Sequence, residues 1–135
     1  MSATSVMQPA TNPVLISANR LLAQGAYRRA LPLFRSLVAD DPASSEAQLG
    51  LINSLFQSGD YESAHTAAQA AVTLIPNSPL IHSAFGDTYF RQGNFDQAEA
   101  EYQSAITLDR NSARAWIGLG RIYSARSMHS QAKSA

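Results

Sequence analysis

A short pattern recurs along this chain at a fixed interval. It reads Gly-x-aromatic-x-x-Ala and begins at Gly25, Gly59 and Gly93, so that consecutive copies are 34 residues apart. One further step reaches Ser127, with Ala132 at the position where the pattern requires alanine. Intervals of roughly 20 to 50 residues are typical of arrays in which each unit buries its apolar face only against its neighbours. The sequence therefore predicts one domain of stacked repeats, three complete and a fourth incomplete.

Apolar spacing indicates that each repeat is a pair of helices. In the third repeat, apolar residues recur at helical intervals in two segments: Ala84, Phe85, Tyr89 and Phe90, then Phe95, Ala98, Tyr102, Ala105, Ile106 and Leu108. Between these segments, Gly93 can adopt the left-handed conformation that ends a helix, and Asn94 can cap the helix that follows. Ser78 and Pro79 supply a cap and a first helical residue. Pro32 lies past the first turn of its helix, where we expect a kink.

The combined pattern resembles the tetratricopeptide repeat. The fourth repeat shows this best, with Trp116, Leu119-Gly120 and Tyr123 at the family's spacing. The resemblance covers about residues 11–135, with residues 12–135 as the repeat domain, and implies an all-α fold, a right-handed superhelical solenoid of antiparallel helix pairs. It places the repeats at about residues 11–44, 45–78, 79–112 and 113–135. It also implies a core that contains the aromatic residues Tyr61, Phe85, Tyr89, Phe95, Tyr102 and Trp116.

Composition excludes several classes of function. Ten Lys and Arg balance ten Asp and Glu, so we predict no nucleic-acid partner. The chain has no cysteine and no apolar run of about 18 residues, so neither a disulfide nor a membrane span is predicted. Residues 1–11 are polar and are expected to form a disordered leader of a soluble protein. The compartment stays open between the cytoplasm and, if a signal peptide was removed, the periplasm or the extracellular space.

The sequence shows no arrangement of residues that is typical of an enzyme. Its three histidines, His65, His82 and His129, lack the spacing that places two metal ligands on one helix face. No glycine-rich phosphate loop is present, and the acidic pairs have no partners for acid–base catalysis. We therefore predict no catalytic residue, no cofactor and no metal. His82 occupies the repeat position that Trp116 holds in the fourth repeat, which favours a packing role.

The resemblance implies that the first helix of each pair lines a concave groove. The residues that it assigns to a partner-binding site are Leu15, Asn19, Leu22, Leu49, Asn53, Phe56, Asp87, Phe90, Arg91, Ile117 and Arg121. It places Gln57 at the edge of the groove and Arg114 at another inward-facing repeat position. Members that grip a C-terminal carboxylate use Lys, Asn and Arg at such positions, but here Leu15 or Leu49 stands where the first Lys would be. An apolar lining with amide groups instead suits an extended peptide or an amphipathic helix.

We predict that the protein is an interaction scaffold. Its partner would be a segment of another protein, whose identity the sequence does not specify. Two alternatives remain open, because the fourth repeat ends after two turns of its expected second helix. The chain is either an accessory domain of a larger protein or enzyme that continues beyond residue 135, or it self-associates through the incomplete repeat. Some of the groove residues could also pack against neighbouring helices or receive a missing segment of the same protein.

Overall fold

A computed structural model describes residues 12–134, and it describes side chains for residues 12–128. All regular structure in this range is helical, as predicted. The helices are α1 (Pro13–Ala23), α2 (Tyr27–Asp40), α3 (Ser45–Gln57), α4 (Tyr61–Leu74), α5 (Pro79–Arg91), α6 (Phe95–Leu108) and α7 (Ala113–Ser134). The predicted disordered leader lies outside the described residues.

The helices stack as a curved array of pairs. Each helix packs against the next one along the chain, and the odd-numbered helices α1, α3, α5 and α7 also contact one another in succession. The even-numbered helices make no comparable contacts among themselves within the described residues. Because the odd-numbered helices are the more closely spaced layer, they form the concave side of the solenoid.

Glycine ends the first helix of each of the three complete repeats. Gly93 has a φ of 81°, in the left-handed region, and this confirms the predicted turn. Ser78 also caps α5 as predicted, because its Oγ accepts a hydrogen bond from the backbone N–H of Ile81 at 3.3 Å. The prediction for Asn94 is wrong in one respect. The residue occupies the N-cap position of α6, but its side chain donates to Gln92 Oε1 and caps nothing.

The fourth repeat departs from the predicted pattern. No turn occurs at Ser127, and α7 continues through it as one helix of 22 residues. Among the described residues, positive φ angles occur only at Gly25, Gly59 and Gly93. A serine side chain disfavours that conformation, so the backbone at Ser127 stays in the right-handed helix. Pro32 lies inside α2, where the expected kink remains a prediction.

Small residues and buried rings fill the space between helices. Ala64 and Ala98, two of the repeated alanines, are fully buried. The largest buried rings, Phe34 and Tyr102, lie against glycines of neighbouring helices. An added Cβ at Gly86 would approach the Tyr102 ring to 2.7 Å. These rings can therefore pack only where the facing position has no side chain.

The predicted aromatic core is confirmed in part. Phe85 and Tyr102 are buried, and Tyr89 and Phe95 are half-buried and pack against the core, whereas Trp116 is 54% exposed. The prediction for Trp116 is wrong, because no helix among the described residues covers that face of α7.

Three side chains 34 residues apart share one hydrogen-bonding role. The Trp116 indole N–H donates to the carbonyl oxygen of Arg110 at 2.9 Å, six residues earlier. His82 Nε2 and Gln48 Nε2 bond in the same way to the carbonyl oxygens of Pro76 and Pro42, at 2.7 and 2.8 Å. This repeat position thus ties the loop that joins two repeats to the helix that follows it.

The half-buried side chain of His65 should make stability depend on pH. The Thr88 hydroxyl donates to the carbonyl oxygen of Phe85 at 2.6 Å, so His65 Nδ1–H must be the donor in its 2.9 Å bond to Thr88 Oγ1. Burial lowers the pKa of His65. Because the unfolded chain then binds protons more strongly than the folded state, the free energy of unfolding should fall as the pH drops below about 6.5.

Urea titrations of the parent and of His65→Gln, between pH of about 7.5 and about 5.5, test this expectation. The decrease should be smaller in the variant, which has no imidazole at that position. Equal decreases in both proteins would mean that His65 does not contribute to the pH dependence.

Candidate partner-binding groove

The concave side contains a groove with a volume of about 990 Å³. Its lining comes mainly from the odd-numbered helices and consists of Leu22, Tyr27, Asn53, Phe56, Gln57, Asp87, Phe90, Arg91, Arg114, Ile117 and Arg121. Eight of the eleven residues that the sequence assigned to a partner-binding site are in this set. Gln57 and Arg114, which the sequence also placed at the groove, line it as well. The position of a residue within its repeat therefore predicts most of the lining.

Three of the assigned residues lie elsewhere. Leu15 is 4% exposed and belongs to the core between α1, α2 and α3, so its assignment to the groove is wrong. Leu49 is half-buried and packs against the neighbouring core cluster. Asn19 is exposed but does not line the groove. Leu15 and Leu49 share a repeat position with the fully buried Ser83, and at these three residues that position points between helices.

Tyr27 lines the groove although the sequence did not assign it there. It is the aromatic residue of the first Gly-x-aromatic motif, at the start of α2. The assignment considered only first helices, and so it missed a residue just beyond the turn. At the equivalent positions of later repeats, Tyr61 and Phe95 pack on the groove residues Phe56 and Phe90. The aromatic residue of the motif therefore lies next to the groove in the later repeats, and its recurrence in the sequence is the feature that could have indicated Tyr27.

A hydrogen-bonded network forms the floor of the groove. The Asp87 carboxylate accepts hydrogen bonds from the Tyr102 hydroxyl and, at 2.9 Å, from Arg114 Nε. The Arg114 guanidinium also donates to Asn53 Oδ1 at 3.2 Å. Burial and the adjacent Asp87 carboxylate raise the pKa of Tyr102 far above its ordinary value, so its hydroxyl stays a donor. The network joins α3, α5, α6 and α7 and holds Asp87 and Arg114 in place.

Aromatic pairs hold the apolar walls in place. Phe56 meets Tyr61 edge to face with ring centroids 5.1 Å apart, and Phe90 lies 5.2 Å from Phe95. Both phenylalanines remain partly exposed to the groove. The guanidinium carbon of Arg91 lies 4.2 Å from the centroid of the Tyr61 ring, at cation–π distance. The walls thus present apolar rings beside an oriented cation.

Within the described part of the chain, no group of three or more His, Cys, Asp or Glu residues is placed to hold a metal ion. The same residues include no helix that is both long and apolar enough to span a membrane.

Family models match most of this chain. A model described as tetratricopeptide repeat matches residues 21–87, and one described as TPR repeat matches residues 86–125. No curated protein shows significant sequence similarity to the chain.

Similar solved structures share the fold at low identity. The first TPR domain of human RPAP3 is 20% identical, with a TM-score of 0.78 over 90% of this chain and 94% of that domain. The type III secretion translocator chaperone SycD of Yersinia enterocolitica is 20% identical, with a TM-score of 0.72 over 90% and 92% of the two chains. The first TPR of Spaghetti (RPAP3), bound to the HSP90 peptide SRMEEVD, is 20% identical, with a TM-score of 0.76 over 84% and 90%.

Proposed function

The chain belongs to the tetratricopeptide repeat family, and from this premise we propose that it is a protein-interaction scaffold whose groove binds a segment of a partner protein. The observation that carries the proposal is the composition of the groove. Partly exposed phenylalanines at positions 56 and 90 lie beside polar side chains that the floor network orients. Partly exposed aromatic rings at the centre of a concave surface are typical of sites that anchor a partner's apolar side chains.

The shape of the groove favours a segment over a folded surface. The lining runs from Leu22 on α1 to Arg121 on α7, so it crosses all four of the odd-numbered helices. An extended peptide or a single helix can follow such a path and present apolar anchors at intervals. A solved neighbour with the same fold, the first TPR of Spaghetti, is bound to a peptide, and this supports the proposal at the level of the fold.

Truncating a wall residue should weaken binding without unfolding the protein. We expect Phe56→Ala to lower affinity about 30-fold, which corresponds to about 2 kcal/mol for a central aromatic anchor. Asn53→Ala and Ile117→Ala should have smaller effects of the same sign. Peptides selected from a random library on the parent protein supply the ligand, and titration calorimetry measures each affinity.

Leu74→Ala is the matched control for the groove variants. Leu74 is an exposed apolar residue on α4 that does not line the groove, so its truncation should leave affinity unchanged. Ile117 is 57% exposed, and its variant should fold even if Phe56→Ala does not. Equal affinities of the parent, Phe56→Ala and Ile117→Ala would place binding outside the groove.

Self-association is a second candidate function, and the outer face of α7 favours it. Trp116 and Tyr123 are exposed there, and an added Cβ at Gly120, which lies between them, would meet no atom within 4 Å. Exposed apolar surface of this kind often marks an interface. Sedimentation velocity at increasing protein concentration tests it. A dimer that Tyr123→Glu abolishes would support this candidate, and a monomer at all concentrations would exclude it.

A further inference from the structure

We infer that the groove selects an internal partner segment that carries at least two acidic side chains beside its apolar anchors. The inference rests on the proposed function and specifies the chemistry of the partner. It follows from which polar groups of the lining are already bonded within the protein and which are left to bind a ligand. It also follows from the charge that remains in the groove.

The floor network uses most of the hydrogen-bond acceptors in the lining. Asp87 is the only carboxylate among the described residues of the lining, and both of its oxygens accept hydrogen bonds, one from Tyr102 and the other from Arg114. The side-chain oxygen of Asn53 accepts from Arg114, which leaves its amide NH₂ as a donor. The groups left for a ligand are therefore mainly donors. Carboxylates match them because they only accept hydrogen bonds.

The charge that remains in the groove also favours an acidic partner. The ion pair between Asp87 and Arg114, at 2.8 Å, leaves Arg91 and Arg121 as the other charged residues of the lining within the described side chains. Neither forms an ion pair among the described residues, and both are exposed. Asp87 therefore neutralises one of three arginines, and the described lining keeps two positive charges although the whole chain has a net charge of zero. Such local charge attracts acidic partners and disfavours basic ones.

The two free arginines lie on different helices. Arg91 is the last residue of α5, where its contact with the Tyr61 ring orients it, and Arg121 lies in α7. Two acidic side chains of an internal segment offer one carboxylate for each guanidinium group, while their apolar neighbours contact Phe90 and Ile117. For this reason we assign the partner's charge to Asp and Glu side chains.

Peptide selection tests the chemistry directly. Random 12-residue peptides, displayed as internal insertions without a free C-terminus, are selected on the parent protein and counter-selected on Ile117→Ala. The retained sequences should be enriched in pairs of Asp or Glu residues with apolar neighbours. For synthetic copies, Arg91→Gln and Arg121→Gln should each weaken binding about fivefold, the upper range for an exposed ion pair. Arg35→Gln, a matched exposed arginine of α2 outside the groove, should change affinity by less than about twofold.

The possible outcomes separate the inference from the proposed function. Retained peptides that are neutral or basic, or whose affinity does not respond to either arginine variant, would overturn the acidic preference and leave the groove function intact. An affinity that is lost when the C-terminus of the peptide is amidated would overturn the assignment to internal side chains. If no selected peptide binds the Ile117→Ala and Phe56→Ala variants more weakly than the parent, the proposed function itself fails.

Discussion

Replacing Gly118 by alanine is expected to lower the free energy of unfolding by about 3 kcal/mol, at the upper end of the range for an overpacked core. Gly118 lies on α7 and faces the ring of Tyr102, and an added Cβ would overlap that ring. The ring cannot move aside easily, because it is only 1% exposed and its hydroxyl is bonded to Asp87. Urea denaturation of the parent and the variant measures the difference.

Gly120→Ala is the matched control on the same helix. An added Cβ at Gly120 would meet no atom within 4 Å. Alanine is the better helix former by about 1 kcal/mol, so this variant should be slightly more stable than the parent. The two substitutions are therefore expected to change the free energy of unfolding in opposite directions, although they lie only two residues apart. Equal changes in stability at both positions would mean that α7 does not pack on Tyr102 as described.

Replacing Tyr102 by alanine should have the largest effect, a loss of about 4 kcal/mol, typical of a large buried ring removed from a core. The ring fills the space that Gly86 on α5 and Gly118 on α7 leave open, so its removal creates a cavity among three helices. Tyr102→Phe keeps the ring and removes only the hydrogen bond to Asp87, and it should cost about 1.5 kcal/mol. Thermal and urea unfolding of the two variants separate the contribution of packing from that of the floor network.

A double variant checks that both predictions arise from one contact. In a Tyr102→Ala background, Gly118→Ala no longer overlaps a ring, so its destabilising effect should disappear. An additive loss of stability in the double variant would contradict the packing described between α6 and α7.

Positions within the repeat predicted most of the groove lining, but they could not predict which of its polar side chains are bonded to one another. Asp87 illustrates the difference, because the sequence assigned it only to the partner-binding site. In the structure both of its oxygens bond to Tyr102 and Arg114, which lie 15 and 27 residues further along the chain. The inference of an acidic partner depends on this internal pairing, and the sequence pattern contains no sign of it.

The sequence alone was sufficient for the helices, for the 34-residue period and for the turns at the repeated glycines, because each follows from local stereochemistry and apolar spacing within one repeat. It was not sufficient where equivalent positions have different surroundings. Leu15 and Ile117 share one repeat position, yet Leu15 is buried under α2 and α3, whereas Ile117 is exposed on α7. Whether a residue at such a position is buried depends on which other helices pack against it. Those contacts join helices that are distant in the sequence, so they are known only from the tertiary structure.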